Sequence, residues 1–202
     1  INSDMQRKIY QKLLDWKNKI NRKPLILEGA RQVGKTWLMQ QLGKNEYKNC
    51  VYINFDRESW AKNLFEQDYD INRILLQLQA QSNQRIIAGE TLIIFDELQE
   101  APRGLSVLKY FYEEAPEHHI VVAGSLLGIT LHQGESFPVG KVDVMQVKPL
   151  TFIEFLYAMG EDIKAMCIEE KRWDILKALA PQYEELLRQY YFVGGMPEAV
   201  AN

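Results

Sequence analysis

Gly29 and Gly34 stand five positions apart and are followed directly by Lys35 and Thr36, so residues 29–36 read Gly-Ala-Arg-Gln-Val-Gly-Lys-Thr. Glycines let a backbone curl until successive N–H groups point inward, which makes a cradle for phosphate oxygens. Lys35 has the reach and charge for the β- and γ-phosphates of a nucleoside triphosphate, and the Thr36 hydroxyl is placed to ligate Mg²⁺. Ala30, Arg31, Gln32 and Val33 supply the amides between the glycines, and Trp37 follows in the first turn of an expected helix. The plainer reading is a glycine turn with an exposed lysine. Context favours phosphate: the apolar run Leu25-Ile26-Leu27 precedes the loop as a strand, and a helix opening at Lys35 aims its positive dipole end at the same place.

A second constellation lies 96 − 35 = 61 residues further on, where Asp96 and Glu97 end the apolar run Leu92-Ile93-Ile94-Phe95. A buried strand that delivers an Asp at its C-terminal end puts a carboxylate at the ligand-binding edge of a parallel sheet. Asp96 then reads as the carboxylate on the Mg²⁺ side, acting directly or through a water, and Glu97 as the group that orients and polarises the attacking water. An acidic helix start would carry the same two residues; the phosphate loop upstream tips the balance toward catalysis. After a fourth run, Ile120-Val121-Val122-Ala123, comes Gly124-Ser125. Ser125 is either a polar group that helps hold the water beside the γ-phosphate or half of a simple turn.

These residues need a scaffold, and the rest of the chain describes one. It has 202 residues, 47% hydrophobic and 25% charged, as expected of a folded domain rather than a disordered chain. The formal charge of -3 gives no global basic field for nucleic acid, although a local patch is compatible with it. Two cysteines, Cys50 and Cys167, form neither a disulfide framework nor a zinc motif, and no apolar run is long enough to span a membrane. A cytoplasmic location without a signal peptide is the expectation. Strands are expected at 25–27, 51–55, 92–95, 120–123 and 142–147. They alternate with helices at 35–42, stopped by Gly43, at 70–81 and at 105–114. That alternation means right-handed crossovers and a mostly parallel sheet covered on both faces. An amphipathic helix carrying Met5, Ile9, Leu13, Trp16 and Ile20 precedes them. Helices alone follow Pro149, at 152–159, 163–179 and 183–192. The expected organisation is a sheet-bearing core over 1–150 with its N-terminal amphipathic helix, then a helical appendage over 151–202. A start at Ile1 and an end just after Gly194-Gly195-Met196-Pro197 read as a piece of a longer chain.

The sequence resembles a branch of the AAA+ ATPases, prokaryotic proteins with an N-terminal AAA-type ATPase and a C-terminal domain of unknown function. The likeness rests on residues 27–36, on Ile94-Phe95-Asp96-Glu97-Leu98-Gln99, on Gly124-Ser125, on Pro149-Leu150-Thr151-Phe152 with Glu154-Phe155, and on Gly194-Gly195-Met196-Pro197. The first two mark ATPases in general, and the last two stretches point to the branch. The resemblance implies an α/β P-loop NTPase of the additional-strand, AAA type, with a parallel five-stranded sheet of order 5-1-4-3-2 flanked by helices and followed by a helical lid. It implies ATP rather than GTP, with Mg²⁺. Where members of the branch commonly carry Gly-Arg, this chain has Gly140-Lys141. Lysine is a point charge where arginine is a planar fork. If Lys141 supplies transition-state charge, turnover is expected to be low, or another residue such as Arg103 takes that role. Ring-forming homo-oligomers, and a protein or nucleic-acid partner acting through the C-terminal domain, are further implications.

Three functions follow for testing: ATP hydrolysis to ADP and phosphate coupled to lid motion, nucleotide-gated binding with little turnover, and small-molecule phosphorylation, which Glu97 disfavours. Weaker signals have plain readings. His118-His119 are expected at the surface, Tyr110-Phe111-Tyr112 in the core, and Tyr190-Tyr191-Phe192 in lid packing rather than an adenine pocket. Arg31 either touches nucleotide or a neighbouring subunit, or pairs with a surface acid such as Glu28.

Overall fold

The computed structural model describes residues 8–124 and 138–197. They form two compact units, one made of 8–12, 31–34 and 148–197, the other of 13–30, 35–124 and 138–147. The sheet lies wholly in the second unit. Its strands are β1 (Leu25–Glu28), β2 (Asn49–Asn54), β3 (Thr91–Asp96), β4 (His119–Ala123) and β5 (Asp143–Gln146), all parallel, in the order β2-β3-β4-β1-β5. Read from the other edge this is 5-1-4-3-2, the order the resemblance implies. β3 and β4 are buried along their whole length, as continuous apolar runs require, whereas β5 alternates half-buried and exposed residues at the sheet edge.

Helices run between the strands: α1 (Lys8–Lys17) before β1, α2 (Lys35–Glu46), the short α3 (Ser59–Lys62), α4 (Ile71–Ser82) and α5 (Gly104–Glu114). Asp70 caps α4, its carboxylate accepting from the amides of Asn72 and Arg73. Phe55, Phe65, Phe95 and Phe111 interlock beneath α4 and α5, with ring centroids 5.4–6.4 Å apart. As expected, Phe111 belongs to this core; Tyr110 stacks on Tyr69 at 4.4 Å.

The other unit is helical, with α6 (Phe152–Ala158), α7 (Asp162–Glu169), α8 (Trp173–Ala178) and α9 (Ala180–Val193). Phe155, Leu156, Ala165 and Leu186 form its core. Thr151 and Glu154 make a reciprocal capping box at the start of α6. The Pro-Leu-Thr-Phe and Gly-Gly-Met-Pro stretches meet here. Leu150 N donates to Gly195 O at 2.6 Å, Tyr190 Oη donates to Leu150 O at 2.8 Å, and a Cβ on Gly195 would lie 2.5 Å from Leu150 O.

Several local expectations need correction. Gly43 does not stop α2, which continues to Glu46; glycine is there because a Cβ would come within 2.8 Å of Cys50 Sγ. α1 ends at Lys17, and Ile20 is 98% exposed, because Trp16 Nε1 donates to Lys23 O and turns the chain toward β1. The single helix expected over 163–179 is two, broken where Lys171 adopts a φ of 56°. Phe192 is 92% exposed, and only Tyr190 of the three late aromatics packs into the helical core. His119 is buried at the start of β4 rather than lying on the surface.

Candidate functional site

Parallel strands bring their C-terminal ends to one edge, and three of them deliver the polar residues of the site there. β1 ends at Glu28 and runs into the 29–36 loop; β3 ends on Asp96; β2 ends on Asn54, paired in register with Asp96. Within the loop, Gln32 and Gly34 have φ of 65° and 85°. Gly34 tolerates that left-handed conformation without strain, and the turn it makes lets α2 begin at once at Lys35. The first amides of α2 have no intrahelical acceptor, so they and the helix dipole favour an anion at this end.

Lys35 Nζ donates to the carbonyls of Gly29 at 2.8 Å and Ala30 at 2.7 Å, which holds the ammonium over the loop. The Thr36 hydroxyl donates to Asp96 Oδ2 at 2.8 Å. The expected metal pair, Thr36 and Asp96, is therefore in contact although 60 residues separate them in sequence. Val33 is buried, Ala30, Arg31 and Gln32 are exposed, and Trp37 is half-buried on the first turn of α2.

Asp96 is only 4% exposed. Its Oδ2 takes a second hydroxyl, from Tyr52 at 2.7 Å, and its Oδ1 accepts from Glu97 N at 3.1 Å. Burial pushes the Tyr52 phenol up to about 12, so it is protonated and donates at neutral pH. Among the described residues no Lys, Arg or His lies within ion-pair distance of Asp96. The donor set fits a hard cation. Thr36 gives its proton to Asp96 and keeps its lone pairs, and both groups are oxygen ligands of the kind Mg²⁺ takes alongside substrate phosphates. Among the described residues no cluster of three or more His, Cys, Asp or Glu could hold a metal alone.

Glu97 sits in the left-handed region, φ 53° and ψ 42°, a conformation that costs a non-glycine residue about 1 kcal/mol or more. It begins the short turn Leu98–Glu100, and Gln99 Nε2 donates to its Oε2. The carboxylate next to Asp96 is thus aimed by a strained backbone and tethered by an amide.

Lys141 is not brought to the site. It lies just before β5, where Asp143 N bonds to Pro24 O, at the N-terminal edge of the sheet, while the loop leaves the C-terminal edge. The four residues of β1 separate the two edges by on the order of 13 Å. There Lys141 pairs with Glu113 at 2.9 Å and lies 5.5 Å from the Tyr112 ring. Ser125 lies outside the described residues. Arg103, the alternative cation, starts α5 and is engaged with Tyr69 Oη and Glu66 O, both at 2.9 Å. Reading the sequence missed Tyr52 and Gln99. Gln99 stood two positions after Glu97, but Tyr52 needed the β2–β3 register to be seen.

The solved structure of C. elegans PCH-2 matches with 13% identity and a TM-score of 0.46, over 79% of this chain and 46% of that one. AMPPCP-bound DnaA from Aquifex aeolicus matches with 16% identity and a TM-score of 0.48, over 77% of this chain and 50% of that one. The chain spans about half the length of each. No curated protein matches the sequence. A family model described as an AAA domain matches residues 21–156, the stretch that holds all five strands, the phosphate loop and the acidic pair. The chain therefore belongs to this AAA domain family.

Proposed function

We propose that the chain binds ATP with Mg²⁺ and hydrolyses it to ADP and phosphate. The observation that carries this reading is the 2.8 Å contact between Thr36 Oγ1 and Asp96 Oδ2 beside the phosphate loop, with Glu97 next in sequence. Lys35 exchanges its loop carbonyls for β- and γ-phosphate oxygens, and the loop amides and the start of α2 hold the remaining charge. Thr36 and Asp96 would hold Mg²⁺, which would supply charge neutralisation to the phosphate oxygens. Glu97 accepts a proton from the attacking water as the new P–O bond forms and the bond to the β–γ bridging oxygen breaks. The proton then passes to the released phosphate, and ADP leaves. Helices α6–α9 serve as the lid whose movement follows the nucleotide, and assembly of several copies, or a partner acting through further domains, would put that movement to use.

Glu97→Gln tests the assignment. The variant should retain ATP while its phosphate release with Mg²⁺ falls by about 10²–10⁴-fold. Equal rates for the two proteins would remove Glu97 from the reaction. Slow, nucleotide-gated binding is a second reading, favoured by the hydrogen bond from Gln99 that occupies Glu97 Oε2. Steady multiple turnover by the wild-type chain would exclude it.

A further inference from the structure

We propose that Tyr52 is a positioning residue for the cation of this site: from β2 its hydroxyl holds Asp96 Oδ2 in the orientation that meets the Thr36 hydroxyl. The inference rests on the Mg²⁺–nucleotide reading above. Tyr52 pairs with Ile94 and Asn54 with Asp96, so all four share one face of the sheet and the tyrosine reaches along it to the carboxylate. Its oxygen lies 2.7 Å from Oδ2, the oxygen that Thr36 contacts at 2.8 Å, and Asn54 Nδ2 stands 3.4 Å behind it.

A terminal carboxylate torsion is broad, and something must fix it. Glu97 N reaches Oδ1 from the adjacent residue and moves with the same backbone segment. Thr36 belongs to the loop and carries its own ligand role. Among the described residues Tyr52 alone ties the carboxylate to a neighbouring strand, independently of loop and turn. Partners of this kind orient a metal ligand, and their loss typically weakens metal affinity by about 10–100-fold. A purely structural hydroxyl, one that only satisfies a buried carboxylate, would change melting temperature and leave metal affinity alone.

The experiment titrates Mn²⁺ by its paramagnetic signal into the full chain carrying a non-hydrolysable ATP analogue. Analogue affinity in EDTA is measured alongside. Tyr52→Phe keeps the ring and removes the donor; Tyr52→Met removes both and leaves a flexible apolar filler, should the first variant fold poorly. Both should bind the metal-free analogue within about twofold of wild type and bind Mn²⁺ about tenfold more weakly. In an Asp96→Asn background the further effect of Tyr52→Phe should disappear, because the hydroxyl acts through Asp96. Unchanged Mn²⁺ affinity in the single variants, or an undiminished tenfold loss in the Asp96→Asn background, overturns the proposal. A wild-type chain that takes up neither analogue nor Mn²⁺ overturns the nucleotide reading itself. A wild type that binds both, matched by Tyr52→Phe, overturns only the role of Tyr52.

Discussion

The two edges of the sheet handle charge in opposite ways. At the N-terminal edge, cations meet anions: Lys17 with Glu46 at 3.1 Å, Lys19 with Asp143 at 3.0 Å, Lys48 with Glu90 at 2.7 Å and Lys141 with Glu113 at 2.9 Å. The buried His119 there finds the Tyr47 hydroxyl at 2.7 Å and the edge of Trp16. At the C-terminal edge the most buried charge, Asp96, is met by two hydroxyls and an amide, all neutral. A buried carboxylate held only by neutral donors is expensive by several kcal/mol relative to a solvated one. It keeps its full charge available to a cation, which a salt-bridged one does not. On the proposed function, the first edge serves the fold and the second a ligand.

The contrast predicts a double dissociation, and its largest effect belongs to Asp96. Asp96→Asn should lower Mg²⁺-dependent phosphate release by about 100-fold or more. Its thermal stability should stay equal or rise, because a buried charge is removed while hydrogen-bonding capacity remains. Phosphate release and a melting curve on one preparation check both halves. A variant that melts far earlier yet still hydrolyses ATP would make Asp96 a structural residue and erase the contrast.

His119 should behave in reverse. Burial first, then the charges of Arg22, Lys17 and His118, pull its pKa down to about 4. An unfolded histidine takes its proton near 6.5. Between those values unfolding takes up a proton, so stability is full above about 6.5 and falls as pH drops toward 4, by at most about 1.4 kcal/mol per pH unit. His119→Phe should flatten that slope in denaturant titrations between pH 7 and 4.5 and leave hydrolysis at pH 7 intact. Equal slopes in the two proteins would show that His119 does not carry the dependence.

What was legible in the sequence divides along the same line. The phosphate loop and Asp96-Glu97 could be read because the groups that make them work lie next to each other in the chain, and the flanking apolar runs fix which end of a strand they occupy. All five strands were visible for the same local reason. Partners brought together by register were not. Tyr52 looks like one more aromatic in Val51-Tyr52-Ile53 until β2 is laid beside β3. Gly43 looks like a helix stop until Cys50 is seen against it. His119 looks exposed beside His118 until β4 is placed centrally in the sheet. Lys141 is a different case: its resemblance to a family position says nothing about which edge of the sheet it occupies.

Lys141 therefore gives the smallest expected effect and the finest test of the comparison. Its ammonium is committed to Glu113, whose carboxylate raises its pKa, and it faces the Tyr112 ring at the edge opposite the loop. Both partners of this ion pair are substantially exposed, so it is screened by salt. Lys141→Ala should leave kcat for ATP within about twofold of wild type, in the range of ordinary surface substitutions. Any loss of thermal stability should shrink as sodium chloride is raised, because the lost attraction is already screened in the parent. A steep fall in kcat with nucleotide affinity preserved would instead require this lysine to act at the phosphate edge. That could happen only in an arrangement where Lys141 of one copy reaches the loop of another, and activity should then rise with protein concentration in the wild type and not in the variant.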